Sequence, residues 1–343
     1  MGSIPEAHGS TGKGSHVSLD MALRRGALTM SFLYLVAGSA HANDGWSFDA
    51  PGGESDAGHG HVSIGFQGAH TAGLVSGTGD HFNKFLTTDV RSMTLGIEYW
   101  IGEQWSVHAS LPFISKRSLH DIGLHDQNRL IVPHPESDFI DDGHYHSAWQ
   151  DWQLGLTHHT SVGVFDIALH AVLTYPSHDY IFFASAPVGQ GLKKLRIGAD
   201  VSQRLGQSNF HYSAGYSYEF VERIEDIQVR GVQYGKINTD NQYLRLSAWY
   251  DFSPRLSVRA FANRRTGKGL TNVDVNRIDR AQRSELWYQH DRLLKYNYAI
   301  AGLGSTWRFN EKWSVSASAA TMVWVRVNHN MKYAYEIQLL RNF

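Results

Sequence analysis

The chain has 343 residues, of which 42% are hydrophobic and only 18% charged, with 33 Gly, 10 Trp, 16 Tyr, 16 Phe, 20 His, 8 Pro, no Cys and a formal net charge of −1. Near-neutrality argues against a nucleic-acid binder, which carries a basic excess, and the absence of Cys excludes a disulfide scaffold, a Cys-based zinc site and a thiol nucleophile. A mean hydropathy of −0.33 and the lack of an uninterrupted apolar run of about 20 residues exclude a helical membrane bundle, but not a membrane barrel, whose alternating strands average to a polar-looking chain.

Residues Met21 to Ala42 read as a secretory signal: Arg24 and Arg25, a short apolar core from Ala27 to Gly38, then Ala40-His41-Ala42 as an A-x-A cleavage site. Residues 1–20 read as a non-native or upstream extension, with Met21 the start. The segment 43–60 is Gly/Asp-rich and either hangs in the periplasm or folds into the lumen as a plug. Residues 61–343 carry the barrel.

From there the dominant signal is period-2 alternation. Val107, Ala109, Leu111 and Phe113 alternate with Ser106, His108 and Ser110; Leu195, Ile197, Ala199 and Val201 alternate with Lys194, Arg196 and Asp200; Trp313, Val315, Ala317 and Ala319 alternate with Ser314, Ser316 and Ser318. Twelve such segments are predicted, over 61–70, 88–100, 104–115, 146–159, 162–175, 192–205, 209–222, 240–252, 255–266, 292–309, 312–326 and 331–343. Most match the roughly 9–11 residues that a tilted membrane strand needs.

The connections alternate in length. Short turns fall near Gly102-Glu103, Ser161-Val162, Gly206-Gln207, Ser253-Pro254 and Asn310-Glu311, and longer polar segments occupy 71–87, 116–145, 176–191, 223–239 and 267–291; only Asn328-His329-Asn330 is brief on the long side. That segregation is the pattern of outer-membrane barrels, with short periplasmic turns and long external loops. Tyr99-Trp100-Ile101-Gly102-Glu103-Gln104-Trp105-Ser106-Val107 resembles the stretches 250–258 and 307–315, which repeat one hairpin rather than a solenoid period. Tyr99, Trp105, Tyr250, Phe252, Trp307, Phe309 and Trp313 beside these turns would form an aromatic girdle. The last strand alternates to a terminal Phe343 and resembles the C-terminal signal that the barrel-assembly machinery reads, with Arg341 departing from the usual apolar choice. A soluble β-sandwich would alternate too. The small residues on the strands, the sorting of turns by length and the aromatics at strand ends favour a transmembrane antiparallel up-and-down β-barrel of about 12 strands in a Gram-negative outer membrane, with outer-membrane lipids and a small-molecule solute as partners and no nucleic acid.

With the apolar face on lipid, the polar face lines the lumen. Glu98, His108, Asp151, Gln153, Asp166 and His170 come from early strands; Lys194, Arg196, Arg204, Arg245, Arg259, Arg265 and Arg308 from later ones, interrupted by Asp200, Glu219, Asp251 and Glu336. Either acids and bases face each other across a narrow pore and select polar solutes, or they pair and fill the interior. Histidines cluster at His59 and His61 and in the longest loop, where His144 and His146 follow Asp141 and Asp142. Such groups are weak candidates for Zn²⁺ or Cu²⁺, but no HExxH-like spacing occurs and no cofactor is expected. Twelve-strand barrels also include phospholipases with a Ser–His pair. His159-Thr160-Ser161 lies at the wrong end for that, and His146 and Ser147, as strand neighbours, point to opposite faces, so no enzyme is expected.

Leu95-Gly96-Ile97-Glu98-Tyr99-Trp100 through Leu111-Pro112-Phe113, and Trp149-Gln150-Asp151-Trp152-Gln153-Leu154-Gly155-Leu156, resemble the outer-membrane proteins of the phenol-degradation meta-pathway family; the second is similar to that family's Gly-Asp-x-x-Leu-Gly strand, with Gln150 in place of the first Gly. The resemblance implies an outer-membrane transporter or channel, with hydrophobic or aromatic catabolic compounds as substrates. The alternative kept open by the residues is a closed barrel that presents its loops for adhesion or binding.

Overall fold

The computed structural model describes residues 58–75, 79–120, 143–179, 188–225, 227–229, 232–234, 236–269, 290–293, 295–326 and 328–343. The expected extension and leader over 1–42, and 43–57 of the segment after them, lie outside the described residues. In chain order the elements are β1 (Gly60–Val75), β2 (His81–Trp100), β3 (Trp105–His120), β4 (His146–Trp149), β5 (Trp152–Val162), β6 (Phe165–Tyr175), β7 (Lys194–Arg204), β8 (Phe210–Val221), β9 (Ile227–Val229), β10 (Val232–Tyr234), β11 (Asn241–Ser253), β12 (Leu256–Gly267), a single-turn helix α1 (His290–Leu293), β13 (Asn297–Arg308), β14 (Trp313–Arg326) and β15 (Asn328–Asn342).

Every ladder is antiparallel, and the sheet closes on itself. Strands pair with their chain neighbours from β1 onward, and β15 returns to β1 from His61↔Asn342 to Val75↔Asn328. Phe343 seals the seam: its N–H donates to the Gly60 carbonyl at 2.9 Å, and the Gly60 N–H to its carbonyl at 3.2 Å. The other end of the expected N-terminal segment is in the wall as well, since the Gly58 N–H donates to the Trp100 carbonyl and the Trp100 N–H to that of His59. β9 and β10 form a separate hairpin within the β8–β11 connection.

With β4 and β5 taken as two parts of one strand, the barrel has twelve strands, as the alternation predicts. Pro112 divides that strand. Its carbonyl accepts the Gln150 N–H at 2.8 Å, so its missing N–H also faces β4 and β5. Ser110 pairs with Gln153 and Phe113 with Trp149, leaving two β3 residues opposite three. The extra residue bulges at Gln150–Asp151.

The short turns are built by side chains that cap the backbone. Ser253 Oγ accepts the N–H groups of Arg255 and Leu256 at 3.2 and 3.1 Å, and Asn310 Oδ1 those of Lys312 and Trp313 at 2.9 and 3.0 Å. Gly163 and Gly206 take φ of 64° and 56° in two of the others, which a Cβ would strain.

Two expectations are corrected. Most of 71–87 is strand, because β1 and β2 continue to Val75 and from His81. The polar composition there reflects a hairpin rising clear of lipid, with His70 Nδ1 at 2.7 Å from Asp89 Oδ1 and Thr71 Oγ1 donating to the Thr88 carbonyl at 3.3 Å. At the other site, β13 starts at Asn297, not 292, since α1 and the residues after it turn Leu293 and Tyr296 inward.

Exposure follows the pleat along most of the strands. Leu95, Ile97, Leu154, Leu156, Leu244, Leu246, Leu303 and Ile337 lie exposed on the outer face, and Glu98, Gln153, Thr157, Glu336 and Gln338 are buried on the inner one. The expected inner girdle is outward-facing and exposed in full, with Tyr250 and Phe252 rings 4.9 Å apart and Trp307 and Phe309 6.0 Å apart. The opposite rim has Phe113 edge-on to Trp149 at 5.3 Å and Trp152 stacked with Tyr175 at 5.6 Å. An exposed apolar band of this kind is stable only against lipid.

Candidate functional site

The interior has two unlike walls. One, over β5–β8 and β11, is charged and internally paired. Arg196 donates to Glu219 Oε2 from Nη2 at 2.9 Å and from Nε at 3.2 Å; the other oxygen of Glu219 accepts Asn241 Nδ2 at 2.9 Å and the Tyr243 hydroxyl at 3.0 Å. Asn241 is a bridge, for its Oδ1 accepts Arg265 Nε at 3.0 Å. The Arg265 guanidinium lies 4.7 Å from the Tyr296 ring and 5.7 Å from that of Tyr243, and Arg196 lies 4.6 Å from Tyr243. Toward the periplasm, Arg245 grips Asp200 from Nη2 at 2.8 Å and from Nε at 3.2 Å, with His170 Nδ1 3.3 Å from the same carboxylate. His211 stacks on Trp249 at 5.2 Å and lies 3.2 Å from Asp251.

Glycines make room for these groups. A Cβ on Gly155 would strike the His108 ring, one on Gly198 would meet His170 Nε2, and one on Gly215 would strike the Asp200 carboxyl. Each bulky lumenal side chain thus lies across the glycine of an adjacent strand.

The second wall is apolar and occupies the extracellular half over β12–β15 and β1–β4. Phe261, Tyr298, Ile300, Ala320, Met331, Ala334, Ala69, Val90 and Ile114 form one buried cluster. Two connections reach it. Val188, from the connection after β6, and Tyr296, from the one before β13, pack in that cluster, while Leu192 and Leu293 of the same two connections pack with Val221, Ile224 and Ile237. The apolar wall is therefore met in the lumen by chain arriving from the charged side.

Of the expected lumenal residues, Glu98, His108, Asp151, His170, Arg196 and Glu336 are buried in the interior, and Arg245 and Arg259 are half-buried there. Arg259 lies 5.5 Å from the Phe261 ring. Three others sit at the periplasmic rim and fix turns: Asp166 accepts Ser161 Oγ at 2.7 Å, Arg204 donates to the Ser208 carbonyl at 2.6 Å, and Arg308 to that of Pro254 at 3.4 Å. Acids and bases of neighbouring strands meet at Arg196–Glu219, Arg245–Asp200 and His211–Asp251. The apolar wall was not read from the sequence. Its signal was present in β13, where Tyr298 and Ile300 on one face alternate with Ala299, Ala301 and Leu303 on the other, so neither face is polar.

His61 is buried in the lumen, whereas His59 and His144 are exposed. Among the described residues no group of three His, Asp or Glu is arranged to hold a metal. Ser147 Oγ donates to Ser115 Oγ at 2.8 Å on the outer face, with His146 on the inner register opposite Lys116.

A closed twelve-strand barrel with an apolar exterior, aromatic girdles and turns sorted by length is an outer-membrane β-barrel. No protein-family model and no curated protein matches the chain in sequence. In fold it is similar to the COG4313 outer membrane channel from Pseudomonas putida F1, with a TM-score of 0.63 at 12% identity over 84% of this chain and 96% of that one. It is similar to a lesser degree to the CymD monoaromatic hydrocarbon channel (TM-score 0.44, 13% identity, 84% and 89% covered) and to the KdgM porin (TM-score 0.41, 7% identity, 82% and 99% covered).

Proposed function

We propose that the chain is an outer-membrane channel or transporter for small solutes, and that hydrophobic or aromatic compounds are the class it passes. The observation that carries this reading is the second lumenal wall. A barrel that serves ions and sugars has a polar interior, whereas Phe261, Tyr298, Ile300 and Met331 give this lumen a surface on which an apolar solute loses its hydration shell. The charged wall opposite holds much of its charge in pairs such as Arg196–Glu219 and Arg245–Asp200, so it offers hydrogen bonds with a weakened field. The sequence resemblance to the phenol-degradation meta-pathway family points to the same solute class, and the fold likeness to a COG4313 channel agrees with a barrel that conducts.

The test is flux through vesicles holding the refolded chain. Phenol or toluene entry faster than in empty vesicles, with slow entry of sugars of equal mass, is the expected result. Equal rates for both solutes would remove the apolar preference. No flux and no current steps in a planar bilayer would favour the second reading, a closed loop-presenting barrel, which the packing of Val188, Leu192, Leu293 and Tyr296 within the mouth supports.

A further inference from the structure

At the extracellular ends of β12, β14 and β15 the outer wall gathers three cations. Arg264 is on the outward register, opposite Leu244 and Ala299, with its guanidinium 5.3 Å from the Trp324 ring centroid. Arg326 approaches the same ring to 5.9 Å. The register slip between His70 and Thr71 leaves Lys332 unmatched beside Tyr333, and both are exposed; the Lys332 carbonyl accepts Thr321 Oγ1 at 2.8 Å, which holds this part of β15 against β14 three residues short of Trp324. Arg264, Arg326 and Lys332 are all exposed, and among the described residues no carboxylate pairs with any of them. Other cations of this rim are engaged differently: Arg117 pairs with Asp89, and Lys268 donates to the Tyr218 hydroxyl at 3.0 Å.

A cation on the lipid face of a barrel is costly at the bilayer midplane and nearly neutral at the interface. A half-exposed indole marks that interface. Two cations at one indole and a third exposed on the adjoining strand, with no carboxylate among the described residues to neutralise them, therefore face lipid headgroups of the outer leaflet rather than acyl chains. Guanidinium forks match phosphate oxygens in geometry as well as charge, and the indole offers an apolar face beside them. We propose that Arg264, Trp324, Arg326 and Lys332 form a site for the phosphorylated headgroup of an outer-leaflet glycolipid, the cations on its phosphate and Trp324 along the first part of its acyl chain. The site is on the exterior and does not depend on whether the lumen conducts.

The full chain, refolded in neutral detergent, is titrated with rough lipopolysaccharide that retains its lipid A phosphates, and bound lipid is read by native mass spectrometry. Each cation near an anionic lipid surface is worth about fivefold in affinity, so Arg264→Gln/Arg326→Gln/Lys332→Gln is expected to bind about a hundredfold more weakly, and enzymatically dephosphorylated lipopolysaccharide to bind the native chain as weakly. Arg255→Gln/Lys312→Gln at the periplasmic rim is expected to bind as the native chain does. Retention of the heat-dependent gel shift establishes that each variant folds; if the triple variant loses it, Lys332→Gln alone carries the test, with a loss of about fivefold. Unchanged affinity in the folded variant, or equal affinity for the dephosphorylated lipid, overturns the site. A dimer that the triple substitution abolishes while lipid affinity stays unchanged overturns it in favour of a second copy of the chain.

Discussion

Arg196 on β7 and Glu219 on β8 face each other in register inside the barrel and exchange two hydrogen bonds through one carboxylate oxygen, while Asn241 and Tyr243 take the other. Both oxygens of the carboxylate are thereby occupied, and β7, β8 and β11 are tied together through one buried group. Such an arrangement stabilises only while it is complete, because removing one member leaves a charge with no water to solvate it.

Glu219→Gln alone is accordingly expected to destabilise the barrel by about 3–5 kcal/mol, whereas Arg196→Met/Glu219→Leu, which removes both charges at similar volume, should regain most of that loss. Urea unfolding followed by the gel shift measures both midpoints. A single variant no less stable than the double would mean that the two charges are not coupled.

Gly215 is expected to tolerate no side chain. A Cβ there would collide with the Asp200 carboxyl and come to 3.2 Å from Arg245 Nε, so the ion pair would have to move off β8. Gly215→Ala should cost about 1–3 kcal/mol by overpacking. Gly102 lies in a turn with nothing within 4 Å of the place a Cβ would take, and should accept Ala with little change. Equal refolding yields for the two variants would show that the lumen relaxes around the new methyl group.

The strands were legible because the exterior must be apolar and the interior polar, so Leu244, Leu246, Arg245 and Ser247 declare their faces two by two. The bulge was not, since it follows from Pro112 acting on a partner nearly forty residues away, which no local period records. The lumenal residues were found as a set but not as pairs: Asp200 and Arg245 are far apart in sequence and meet only through β8, over Gly215. Val188 and Tyr296 were hidden for a different reason. They lie in connections, where an isolated apolar residue carries no periodic signal, and only closure of the barrel brings them to the same cluster.

The extracellular rim carries a pH-dependent contact. Burial raises the affinity of the Asp240 carboxyl for its proton, but the Val221 N–H at 3.0 Å, the Tyr218 hydroxyl at 2.9 Å, the Asn238 side chain and Arg223 at 3.3 Å outweigh it, and hold the carboxyl below the usual carboxylate range. A lowered folded-state value means that the stabilisation is complete above the unfolded value, about pH 4, and is lost as the pH falls through the lower folded one. Exchange of the Val221 amide should therefore be slow at pH 6 and speed up below about pH 4 beyond the intrinsic trend, and Asp240→Asn should remove that extra dependence. Identical profiles for the two proteins would show that Asp240 does not hold this end of β8.

The mouth makes the most direct claim on transport. Val188 and Tyr296 come from two different connections and pack within the apolar wall, beside Arg265, which lies against Tyr296 and bonds Asn241 on the charged side. Truncating them removes the contacts that hold these connections across the lumen without touching a strand ladder. Val188→Ser/Tyr296→Ala is expected to raise single-channel conductance several-fold and to weaken discrimination between toluene and a sugar of equal mass, because the wider passage admits solutes that keep their water. Loss of a buried aromatic costs about 3–5 kcal/mol, so the gel shift must be recorded alongside the current. A folded variant whose conductance and solute preference match those of the native chain would place the limiting constriction elsewhere, at the level of His108, His170 and Asp200, where Gly155 and Gly198 let the imidazoles lie flat across the wall.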